Sequence, residues 1–219
     1  YEIMPSLVGS EMCIRDRQLI DCMLYLKDIG AHNINLVTPS NYTLALAKTL
    51  ETAKNKVNLP IVWNSSGYET VANLKKLDGL VDVYLPDFKY SDDDLAWEYS
   101  HAKGYEDVAI KAIAEMRRQQ PIDVFDEDDM MKKGVIVRHL VLPNAIENTR
   151  GVLKDIASID KDMIVSLMGQ YFPTPAVETH PVLFRRITQE EYGEATDAFF
   201  DAGLTNGFSQ ELDSATEEY

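Results

Sequence analysis

From Gln18 to about Phe208, short apolar runs rich in β-branched residues alternate with longer amphipathic stretches. That alternation is the pattern of βα units feeding a parallel sheet, and it constrains the fold more than any single motif. Leu19, Ile20, Met23, Leu24, Leu26 and Ile29 recur at helical spacing and stop at Gly30. A first clear strand follows at 33–37, and Pro39 and Ser40 open a helix whose apolar side carries Leu44, Leu46, Ala47 and Leu50, with Asn58 and Pro60 closing it. Further strands are predicted at 61–63, 81–85, 135–142 and 163–167, with a last short one at 206–208. Between them the pattern predicts a short helix at 68–77, acidic and aromatic helices over 91–119, a helix at 147–159 and a long one at 188–202. The charge run DVFDEDDMMKK within 121–133 has no clean period and reads as a loop or a short outer hairpin.

Five to six strands without sustained period-2 alternation predict an α/β fold with parallel strands. Right-handed βα units curl into a barrel or an open doubly wound sheet, and pattern alone leaves both open. In either case ligands collect where the strands end.

Composition narrows the partners. Lys and Arg total 21 against 36 Asp and Glu, a net charge of -15 that repels a polyanion and argues against nucleic acid. Apolar runs such as 135–143 fall well short of the ~20 residues a spanning helix requires, so no membrane role is expected. Two cysteines, Cys13 and Cys22, are too few for a disulfide framework and suit a reducing, cytoplasmic compartment. Residues 1–17 lack the features of a signal peptide. The run MPSLVGSEMCIRDR among them resembles a translated sequencing adapter, so 1–17 is expected to be a non-native leader. The expected division is completed by a barrel over 18–210 and a frayed acidic tail at 211–219.

The strand-end segments VTPSNY, WNSSGYE, LPDFKY, VRHLVLPN and LMGQYFP are unusually polar. Their hydroxyls, amides and bare backbone N–H groups suit a ligand with carboxylate, amine and ribose functions. Asp87 and Lys89 lie two apart, so both point to one side of a continued strand, as an ion pair or as the two ends of a zwitterion site. Arg138 interrupts an apolar strand, where a guanidinium is costly unless paired or facing a polar lumen. His139 must face the opposite side, so Arg138 is taken as the lumen residue. His32, His101 and His180 show no metal-ligand spacing, Cys22 reads as a small core residue, and Asp126 to Asp129 read as a solvated loop.

The blocks GAHNINLVTPSNY, LPIVWNSSGYETV, LDGLVDVYLPDFKY, GVIVRHLVLPN and SLMGQYFP, with the closing NGFSQ, resemble the radical S-adenosylmethionine (SAM) proteins related to pyruvate formate-lyase activating enzymes. The resemblance implies a partial (βα)6 TIM-like barrel that binds SAM and a 4Fe–4S cluster at its mouth. It implies reductive cleavage of SAM to a 5'-deoxyadenosyl radical, a glycyl radical enzyme as possible partner, and a reductant such as flavodoxin or ferredoxin. It places Asn64 and Ser65 near the SAM methionine, with Gly67 giving backbone access. It also matches Asp87 and Lys89 to an Asp-x-Lys at the SAM site and Arg138 to an arginine reaching the SAM carboxylate.

Two departures stand out. Thr38 and Pro39 occupy the place of a Gly-Gly-Glu stretch that binds the SAM amine, and no C-x3-C-x2-C loop is present to hold a cluster. The first strand and cluster loop are therefore expected upstream of the leader-like segment, with this chain inactive by itself and poorly soluble through its uncovered sheet edge. The competing readings are a non-catalytic barrel that binds SAM or a related nucleoside, and an aldolase-type barrel with Lys89 as a Schiff-base lysine.

Overall fold

A computed structural model describes residues 16–209. The acidic tail expected at 211–219 lies outside the described residues, as do Cys13 and all of the expected leader but Asp16 and Arg17. Helix α1 (Asp16–Asp28) precedes β1 (Ile34–Val37), α2 (Thr43–Val57), β2 (Ile61–Ser65), α3 (Val71–Leu74), β3 (Val83–Pro86), α4 (Asp93–Ser100) and α5 (Tyr105–Gln119). The two-residue β4 (Val124–Phe125), β5 (Met131–Leu140), α6 (Ile146–Ile159), β6 (Ile164–Met168), α7 (Gln189–Asp201) and β7 (Gly207–Ser209) complete the order.

The strands form one sheet in the order β1-β2-β3-β5-β6-β7, every neighbouring pair on this path being parallel. Among the described residues the sheet does not close, so a partial barrel is the observed form of the expected α/β fold. The segment between Pro121 and Lys133 is a short hairpin, in which β4 pairs antiparallel with the start of β5.

Local chemistry accounts for the element boundaries. Thr43, Ala47, Leu50, Ala53 and Val57 of α2 are buried and recur every three or four positions, with Thr49 buried beside them. Asn58 ends that helix in the left-handed conformation, its N–H returning to the Lys54 carbonyl. Asp92 caps α4 by accepting from the Asp94 and Leu95 amides, and Thr188 with Glu191 forms a capping box at α7.

Alternation along the strands divides the sheet into two faces. Trp63, Tyr84, Val135, Val137 and Val165 are fully buried against Leu50, Ile113, Met116, Leu153 and Ile156 of the helices. Asn64, Leu85, Ile136, Arg138, Ser166 and Met168 lie on the other, half-buried face, which no described helix covers. At about 25 cal/mol per Å² the helix-covered side supplies the main stabilisation, and the open face is left for another use.

Candidate functional site

The site grows from where the parallel strands end. Past Pro86, β3 continues its alternation, so Asp87 and Lys89 turn to the open face while Phe88 is fully buried between them. A bridge pairs Asp87 with Arg138 across the β3–β5 junction, and the β5–β6 register sets Arg138 beside Ser166. Asn64 stands on the same face of β2, in register with Leu85.

These side chains meet. Arg138 Nη2 donates to Asn64 Oδ1 at 2.7 Å and lies 2.7 Å from Asp87 Oδ1. Lys89 Nζ is 3.6 Å from Asp87 Oδ2. Arg138 Nε is buried without a hydrogen-bond partner. A guanidinium N–H buried without a partner is expensive, which marks Arg138 as a strained member of the polar cluster. The cluster therefore offers a cation flanked by a carboxylate, an amide oxygen and a second cation, donors and acceptors suited to the two ends of a zwitterionic amino acid.

Four of the five expected binding residues, Asn64, Asp87, Lys89 and Arg138, thus come together. Ser65 does not join them. It is buried on the helix-covered face, where its hydroxyl donates to Glu69 Oε2 at 2.6 Å, and Trp63 Nε1 donates to the same carboxylate at 3.0 Å. The reason is strand geometry, because neighbours on β2 must face opposite ways. Gly67 also differs from its expected part. At φ +71 it accommodates the Asp87 carbonyl rather than a ligand, and a Cβ there would sit well inside contact distance of that oxygen. Gly67→Ala is expected to destabilise the chain by about 2 kcal/mol and to displace Asp87, because the obstructing atom is backbone. A melting curve with ligand titration checks this, and an unchanged melt with unchanged binding refutes it.

Thr38, at the end of β1, is a β-branched residue at φ +53, and its N–H donates to the Asn64 carbonyl. This is a strained conformation at the mouth of the site, at the position where the sequence departs from a glycine pair. Lys89 is 42% exposed and ion-paired, which is not the desolvated setting of a Schiff-base lysine.

Sequence reasoning missed Tyr105, Asn148 and Thr149, all of them buried behind the site. Asn148 and Thr149 did leave a signal. They occupy the stripe of α6 that continues as Val152, Leu153 and Ile156, so two polar residues sit where core residues belong. His139 was assigned only to the far face, and there it is fully buried. Its Nδ1 donates to the Phe88 carbonyl at 2.7 Å and its Nε2 lies 3.0 Å from Thr149 Oγ1. Burial depresses its pKa from 6.5 to about 4. Tyr105 is held neutral by the same cause, its phenol raised far above the ordinary value.

No family model matches the chain. An uncharacterized protein of Methanocaldococcus jannaschii is 33% identical over 168 residues, which are 75% of this chain and 45% of that protein. The chain thus spans less than half the length of the curated relative it matches. Among solved structures, a domain of a pyruvate-formate lyase-activating enzyme from Bacteroides vulgatus aligns with TM-score 0.59 over 82% of this chain and 99% of that domain, at 13% identity. A methylornithine synthase aligns with TM-score 0.57 over 92% of this chain and 63% of that enzyme, at 16% identity. The chain has their fold. That fold agrees with the resemblance carried by the strand-end blocks, and the cluster of Asn64, Asp87, Lys89 and Arg138 stands at the strand ends of the shared sheet.

Cofactor fit divides in two. The amino-acid end of SAM suits the polar groups around Arg138, a half-buried cation beside the Asp87 carboxylate and the Asn64 amide oxygen. A 4Fe–4S cluster does not fit the described residues. They contain one cysteine, half-buried Cys22, and no group of three or more His, Cys, Asp or Glu placed to hold a metal ion. Among the described residues, no helix is long and apolar enough to cross a membrane.

Proposed function

We propose that this chain is the SAM-binding portion of a radical SAM protein, with the open face of its sheet holding the ligand's methionine moiety. The observation that carries the reading is the shared Arg138 guanidinium, 2.7 Å from both Asn64 and Asp87. In this reading Arg138 takes the ligand carboxylate in a charge-assisted contact, and Asp87 and Asn64 accept from the amine. Lys89 neutralises Asp87 and sets the potential at the mouth. Leu85, Ile136 and Met168, half-buried on the same face, offer apolar contact to the remainder of the molecule.

When bound, SAM supplies a carbon–sulfur bond whose reductive cleavage yields a hydrogen-abstracting radical. The cluster that such chemistry requires draws no ligands from the described residues, so the part proposed for this chain is to bind and orient. The resemblance carried by the strand-end blocks extends the reading to hydrogen abstraction from a partner protein, with flavodoxin or ferredoxin as electron donor.

Calorimetric titration of the 219-residue chain with SAM tests the binding reading. One-to-one binding, competed by S-adenosylhomocysteine and weakly by free methionine, is the expected result. Competition by adenosine but not by methionine points instead to a nucleoside-binding barrel and removes the role given to Arg138.

A further inference from the structure

The three residues that carry the charged pair are held to an unusual degree. Asp87, Phe88 and Lys89 run on from β3, and all six of their backbone polar groups are bound. The Asp87 N–H donates to the Ser65 carbonyl at 2.9 Å and the Phe88 N–H to the Arg138 carbonyl at 2.8 Å. The other four groups are satisfied by side chains. Tyr105 Oη donates toward the Asp87 carbonyl at 3.0 Å and accepts from the Lys89 N–H at 3.0 Å. His139 Nδ1 donates to the Phe88 carbonyl at 2.7 Å, and Asn148 Nδ2 donates to the Lys89 carbonyl at 3.0 Å.

Each of those side chains is itself buried and held by a second partner. Tyr105 is 2% exposed, and its single proton is shared with the Ser66 carbonyl at 2.9 Å. His139 is 0% exposed and anchored through Thr149. Asn148 is 4% exposed, and its Oδ1 accepts from the Ser91 N–H at 2.9 Å. They come from three different elements, α5, β5 and α6. Fully buried Phe88 fixes the rotation of the segment about its own axis, so the flanking side chains must leave on the open face.

A buried polar network of this kind stabilises one backbone arrangement against its neighbours, since any shift leaves several desolvated groups unpaired. Three buried side chains converge on the one tripeptide that bears two of the site's three charges. We propose that Tyr105, His139 and Asn148 are positioning residues, which fix the backbone of Asp87–Lys89 so that Asp87 stands ready at Arg138, with Lys89 beside it, before any ligand arrives. The inference rests on the proposed reading of the open face as an amino-acid binding site, and it makes the affinity of that site depend on groups that never touch the ligand.

Amide hydrogen exchange on the ligand-free 219-residue chain tests it, with wild type set against Tyr105→Phe, His139→Leu and His139→Asn. Tyr105→Phe removes one hydroxyl without opening a cavity, and exchange at the Lys89 amide should rise about 10- to 100-fold while β2 and β6 keep their protection. His139→Leu should act likewise at 88–89. His139→Asn, whose amide can reach the place of Nδ1, should recover most of the protection. SAM affinity in calorimetry should follow the same order, Leu weaker than Asn and Asn close to wild type. The proposal is overturned if exchange rises evenly across the sheet, if 87–89 stay unchanged, or if Asn is as damaging as Leu. Should wild type bind no SAM, the functional reading falls, and the exchange pattern in the free protein still decides the positioning role.

Discussion

Replacing Arg138 with alanine is expected to weaken SAM binding about 100-fold while the chain still melts cooperatively, because truncating one partner of a half-buried, hydrogen-bonded charge set that the ligand then covers costs about 2–5 kcal/mol of affinity. The guanidinium joins β2 to β3 through Asn64 and Asp87, and both contacts go with it. Asp87 then keeps only the longer 3.6 Å approach of Lys89, a side chain 42% exposed and free to swing into solvent. The site loses its carboxylate anchor and presents an under-compensated anion where the ligand's carboxylate should arrive. Arg138→Lys should recover little. An ammonium lacks the planar fork, and it cannot hold Asn64 and Asp87 while offering a further donor. The stability cost should be about 1 kcal/mol, as the pair is still reached by water. Calorimetry of both variants checks the expectation. Binding within twofold of wild type for Arg138→Ala would show that the ligand is held by its nucleoside half alone.

How much of this was legible in the chain depends on which physical rule wrote each feature. The parallel order followed from βα alternation, and the six parallel strands lie within a residue or two of the predicted runs, apart from the start of β5, whose first three residues overhang the sheet in the hairpin. That overhang was hidden because Met131, Lys132 and Lys133 carry no strand signature, and their pairing partner is a two-residue strand. The separation of Arg138 from His139 followed from period two alone. The same rule separates Asn64 from Ser65, which the family resemblance places together. Ser65 instead completes a buried carboxylate site with Trp63 and Glu69. The tertiary partners of the charged tripeptide were out of reach in another way. Tyr105, His139 and Asn148 are brought together only by the packing of α5 and α6 on the sheet, at separations of 16, 51 and 59 residues from their backbone partners. No local pattern records such distances, although polar residues within the apolar stripe of α6 marked where to look.

His139 also gives the fold an acid-sensitive point whose sign can be worked out. The Phe88 carbonyl can only accept, so Nδ1 must carry the proton, and Nε2 then accepts from the Thr149 hydroxyl in a neutral imidazole. Burial lowers the folded-state pKa to about 4, below the unfolded value of 6.5. Between those values the unfolded chain binds the proton and the folded chain does not, so stability rises with pH across the window. His139 thus contributes its full stabilisation above pH 6.5 and loses it progressively as pH falls to about 4. The loss amounts to at most about 3 kcal/mol, taking 1.36 kcal/mol for each pKa unit. Asp155 works in the opposite sense. Burial and the neighbouring Glu106 raise its pKa to about 6, so the folded state gains a proton there as pH falls and is stabilised by it. Glu191, lowered to about 2 chiefly by Arg185, adds a loss of its own that sets in below its ordinary value and continues toward that lower one. The histidine term is therefore read as a difference between denaturant midpoints of wild type and His139→Leu from pH 7 to pH 4. The variant starts less stable, and the gap should narrow toward acid by about 3 kcal/mol as wild type loses what the variant never had. A gap that stays constant over that range would mean His139 is already charged or reachable by water, and the buried tie to Phe88 would have to be abandoned.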